Sequence, residues 1–99
     1  MILGWFDARD AEEFGKSLAE FYDKQSQVNA GAKESKMTDK QQKLVAQVLV
    51  KAQQFRTSHK LNLYKKAKLG NAFRWKLRDL GHDVRVIDMI TKDLMYALR

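Results

Sequence analysis

From Asp7 to Gln25, Ala11, Phe14, Leu18, Phe21 and Tyr22 recur at intervals of three or four. That period places them on one face and predicts a helix. Asp7 is positioned to cap it. Asp10, Glu12 and Glu13 fall in the first turn, where negative charge meets the positive end of the helix dipole. Glu12, Lys16, Glu20 and Lys24 follow at four-residue spacing, each glutamate ahead of a lysine, the favourable order for pairing along one helix. Gly15 lies inside the pattern, where glycine costs about 1 kcal/mol relative to alanine. Its presence there suggests a close neighbour.

Residues 26–37 are small, polar and without a sustained period, so they are expected to form a long mobile loop. A capping box, Thr38 to Gln41, then opens a second helix over about 38–58. Leu44, Val45, Val48, Leu49, Ala52 and Phe55 make its apolar stripe. Residues 57–62 are a weak break with neither Gly nor Pro. The next stripe, Leu69, Phe73, Leu77 and Leu80, is nearly in phase with the previous one, so one bent helix over 38–80 is an alternative. A break is preferred, because His59, Asn62 and Lys66 would otherwise interrupt the apolar face. A single helix would also be roughly 64 Å long, awkward in a small domain.

The third helix, about 61–80, is expected to stop at Gly81, which reaches a left-handed conformation without steric cost. Asp83 then caps a fourth, about 83–98, with Val84, Ile87, Ile90, Leu94 and Leu98 facing inward. The expected fold is all-α: residues 1–99 as one small domain, a bundle of four helices with antiparallel neighbours. Phe14, Leu18, Phe21, Leu44, Val48, Phe55, Phe73, Leu77, Ile87, Ile90 and Leu94 should form the core.

Charge changes the picture. The chain carries a net +7, distributed unevenly. Residues 1–39 hold eight acids and five bases, residues 40–78 eleven bases and no acid, and residues 79–99 four acids and three bases. The middle segment thus holds more than the whole excess, which points to an anionic partner. In helical projection Tyr64, Lys68, Asn71, Trp75 and Arg78 form a strip opposite the apolar stripe of the third helix. Cations interleaved with rings suit a nucleic-acid strand: the cations meet phosphates and the rings stack on bases. The candidate contacts are Lys51, Arg56, Lys60, Lys65, Lys66, Lys68, Arg74, Lys76 and Arg78 for phosphate, with Tyr64 and Trp75 for stacking. The competing reading makes Tyr64 and Trp75 a second core face and leaves the lysines solvated or opposite acids of the outer helices.

Other chemistries find little support. With no Cys, disulfides and thiolate metal sites are excluded, and a cytoplasmic setting is expected. His59 and His82 are isolated, and no catalytic motif or metal-binding spacing appears, so neither an enzyme nor a cofactor or metal site is expected. Phe14–Ser17 echoes the end of a phosphate loop, but Asp10 stands where its first glycine belongs. A helix-turn-helix over 76–90 would begin its recognition helix at Asp83 and place Asp88 and Asp93 on it, the wrong sign for a DNA groove. Lipid-surface binding ranks lower, because the most basic segment packs between other helices, and no span is long enough to be integral to a membrane. The expected function is therefore a non-enzymatic module that binds a polyanion, nucleic acid first, through helices two and three. The alternative is a protein-interaction or assembly subunit. It would dock on an acidic protein or a second copy through Tyr64 and Trp75, or through Ile2, Leu3, Trp5 and Phe6.

Overall fold

The structure, a computed structural model, describes residues 7–29 and 34–99, with backbone alone at residues 29 and 34–38. Four helices account for most of them: α1 (Arg9–Asn29), α2 (Glu34–Ser58), α3 (Leu63–Asp79) and α4 (Val84–Ala97). No strand occurs among the described residues.

The helix ends follow local chemistry. Asp7 precedes the first helical residue by two, yet its carboxylate accepts from the Arg9 backbone N–H at 3.3 Å. α1 runs four residues past Gln25. In that last turn the Ser26 hydroxyl donates to the Asp23 carbonyl at 2.8 Å, and Gln27 donates to the Asp23 carboxylate at 3.1 Å. These side-chain bonds support a turn that has no apolar stripe. α2 begins at Glu34, ahead of the capping box, so Thr38 is not its first residue. Glu34, Lys36 and Met37 are all good helix formers. Residues 30–33, within the expected mobile loop, lie outside the described residues, as do Ile2, Leu3, Trp5 and Phe6.

The break after α2 is real, and the single bent helix does not form. Phe14, Phe55 and His59 stack in series with both centroid spacings 4.0 Å, and the His59 amide closes the last turn onto the Phe55 carbonyl. Asn62 then starts α3 afresh, accepting from the Lys65 amide at 2.8 Å. At the end of α3, Gly81 has φ +87°; its N–H reaches the Arg78 carbonyl and that of His82 the Leu77 carbonyl. This pair of reversed bonds is the glycine-terminated helix stop expected there. Asp83 caps α4 by accepting from the Arg85 amide at 2.7 Å.

Around the bundle the order is α1, α3, α4, α2: each helix packs on two neighbours, and neither α2 with α3 nor α1 with α4 makes contact among the described residues. Helices joined by a short link run antiparallel. Phe14 meets Phe55 and Tyr22 meets Gln41 between α1 and α2, while Gly70 faces Met95 between α3 and α4. α1 and α3, by contrast, run parallel: Gly15 lies against Leu69 and Ala72, and farther along Asp23 meets His82. The His82–Asp23 distance is 2.8 Å in a part-buried setting, so His82 is a tie between α1 and the α3–α4 turn.

The core contains Leu18, Leu44, Val48, Phe73, Leu77, Ile87, Ile90 and Leu94, all essentially inaccessible, together with Tyr22, Leu69, Ala19, Ala52 and Leu98. Phe14, Phe21 and Phe55 are only half-buried and pack on its flank along α1 and α2. Leu80 and Val84, placed inside by periodicity, are 37% and 60% exposed because they border the turn where α3 and α4 diverge. The buried Thr91 hydroxyl finds no hydrogen-bond partner. Replacing Thr91 with Val, which keeps the shape and removes the unpaired polar atom, is expected to stabilise the fold by about 1 kcal/mol. A lower urea midpoint for Thr91→Val would contradict this.

Candidate nucleic-acid interface

Trp75 tests whether the strip opposite the apolar stripe of α3 is a second core face. It is 57% exposed, so it belongs to no second core face. It projects from α3 because that helix already buries Leu69, Phe73 and Leu77 on its inner side. The Arg78 guanidinium stands over the Trp75 ring at 5.3 Å, and the Lys68 ammonium over Tyr64 at 5.5 Å. Each contact is worth roughly 0.5–1 kcal/mol at an exposed position. Tyr64 itself is half-buried and engaged, so it is a weaker stacking surface than Trp75.

Trp75 lines a groove of about 340 Å³ between α1 and α3, together with Glu12, Lys16, Lys68, Asn71, Ala72, Lys76 and Asp79. The groove exists because Gly15 lets α1 approach α3, bringing the flanking Glu12 and Lys16 beside the strip. Glu12, Lys16 and Asp79 were not in the predicted set. Glu12 and Lys16 had been expected to pair with each other, but no ion pair joins them among the described residues, nor Glu20 to Lys24. Asp88 of α4 pairs at 4.0 Å with Arg74 of α3.

The eleven predicted residues do not make one surface. α2 and α3 occupy opposite corners, with α1 on one side and α4 on the other. Lys51 is exposed, but its ammonium lies 4.7 Å over the ring of Phe21, on the α1–α2 face. Arg56 donates to the Arg99 backbone carbonyl at 2.6 Å, beside the end of α4. Lys60 is exposed in the link between α2 and α3, and Lys66 is half-buried near the start of α3.

Lys65 is also offset by acids. It shares a depression with Asp7, Arg9, Asp10 and Glu13, three carboxylates against two cations. Hydrogen bonds from the Arg9 side chain and backbone hold the Asp7 carboxyl down to about 2, with Lys65 adding to the effect. That depression therefore repels phosphate. Residues 68–78 of α3 differ. Lys68, Arg74, Trp75, Lys76 and Arg78 occur there with exposed or half-exposed side chains, and Lys16 joins them from α1.

No protein-family model, no curated protein and no solved structure matches the chain. No helix among the described residues is long and apolar enough to cross a membrane.

Proposed function

We propose that the protein is a non-enzymatic module that binds nucleic acid through residues 68–78 of α3. The observation that carries this reading is the exposed Trp75 under Arg78, at the lip of a groove edged by Lys16, Lys68 and Lys76. An exposed indole among cations offers what a single strand needs, a stacking surface and counter-charges for its backbone. Lys68, Lys76 and Arg78 are the phosphate contacts in this proposal, while Arg74 pairs with Asp88 on the α4 side. Lys51 and Arg56, on other faces, take no direct part.

Three phosphate contacts on a single strand imply a slope of about −2 for log affinity against log salt. A filter-binding or fluorescence titration across salt concentrations measures it. A flat dependence, or no binding at about 50 mM salt, would overturn the reading.

A second reading, docking of an acidic protein, draws on the opposite side of α1. Phe14, Phe21 and Phe55 line a groove there, and Val50 beside Phe21 is half exposed. Lys51 is the one charged residue in that lining, which suits an acidic, apolar partner.

A further inference from the structure

The groove beside Trp75 has a chemistry that phosphate binding alone does not explain. Its lining mixes three lysines with two carboxylates, Glu12 and Asp79, and the side-chain amide of Asn71. None of Glu12, Asp79, Asn71 and the Trp75 indole N–H has a side-chain hydrogen-bond partner among the described residues. A phosphate inside the groove would meet carboxylate as well as cation. At about 340 Å³ it lies near the small end of ligand sites, enough for one ring system.

We propose that this groove receives a base rather than a phosphate, and that it favours bases carrying an exocyclic amine. The inference rests on the nucleic-acid reading above and specifies its ligand. In this arrangement a base from a single strand stacks on the Trp75 face away from Arg78. Its amine donates to Glu12 or Asp79, while the flanking phosphates stay outside with Lys68, Lys76 and Arg78. Cytosine presents an amine donor where thymine presents a carbonyl acceptor. Against a carboxylate facing the C4 substituent, the first makes a charge-assisted hydrogen bond and the second leaves two acceptors facing each other. Duplex DNA keeps its bases stacked and paired, so it cannot use the groove.

The test compares short oligo(dC) with oligo(dT) of equal length at pH above 7. Binding is followed by fluorescence in a Trp5→Phe background, which leaves Trp75 as the one tryptophan of the chain's two. Oligo(dC) is expected to bind about tenfold more tightly, the difference one such hydrogen bond makes. In the double variant Glu12→Gln, Asp79→Asn the ratio should fall towards one, chiefly through a gain for oligo(dT). A purely electrostatic role would strengthen both strands equally and leave the ratio intact. Both carboxylates are at least partly exposed, so the variants should keep the fold, which circular dichroism checks. Equal affinity in the parent, or an unchanged ratio in the double variant, overturns the base-selective groove while leaving nucleic-acid binding standing. Failure of both strands to bind at low salt overturns both.

Discussion

Replacing Gly15 with alanine should lower stability by about 1–3 kcal/mol, although alanine is the better helix former. A β-carbon at Gly15 would collide with the Leu69 carbonyl oxygen and lie 3.1 Å from the Ala72 methyl group and 3.2 Å from the Phe73 amide nitrogen. The first obstacle is backbone in the middle of α3, which cannot rotate away as a side chain end would. Relief requires α1 and α3 to separate, and these two helices form the most extensive packing in the bundle. Separation would loosen Leu18, Leu69 and Phe73, all fully buried. For a chain of this size each kcal/mol shifts the thermal midpoint by about 4–8 °C. Urea and thermal unfolding measure the change. If Gly15→Ala instead gained the roughly 1 kcal/mol its propensity offers, the close approach would be refuted. The same substitution should widen the Trp75 groove, because its two walls are the helices that Gly15 holds together.

Trp75→Ala should have the opposite profile. Stability should change by no more than about 1 kcal/mol, the exposed contact with Arg78 being the chief loss. Affinity for a single strand should fall by about 5–150-fold, the 1–3 kcal/mol of one base–aromatic stack. Trp75→Phe should recover part of the loss, since a smaller ring still stacks. Loss of stability with unchanged affinity would instead make Trp75 a packing residue and remove the observation on which the proposed function stands. Comparing the two variants also separates the roles of the groove, with Gly15 shaping it and Trp75 contacting the ligand.

The local signals in the chain translated well where one element sufficed to determine the outcome. The stop at Gly81, the cap at Asp83 and the alternation of buried and exposed positions on α4 follow from backbone sterics and helix period. The boundaries of α1 and α2 were less legible. The tail of α1 is held by side-chain bonds to Asp23 rather than by an apolar stripe, and a capping-box pattern can occur inside a longer helix. Phe14, Phe21 and Phe55 show the limit of periodicity for the core: it selects a face, whereas depth depends on how neighbouring helices cover that face. At the candidate site, the strip from Tyr64 to Arg78 was legible because it lies on one helix. The participation of Glu12 and Lys16 was not, and neither was the separation of Lys51 and Arg56 from that strip. Gly15 was the sole local trace of the α1–α3 approach.

By itself the sequence determined that the chain is helical, where α2 and α3 end and where α4 begins and ends, and that residues 40–78 carry the excess positive charge. These are properties of short segments, set by side-chain chemistry within a few residues. The tertiary structure alone decided that α1 runs parallel to α3, that α2 and α3 stand at opposite corners, and that acids from α1 offset Lys65 while Trp75 remains exposed. Such relations join residues distant in the chain. They depend on which faces bury each other best, and at Gly15 on one position where a side chain would not fit.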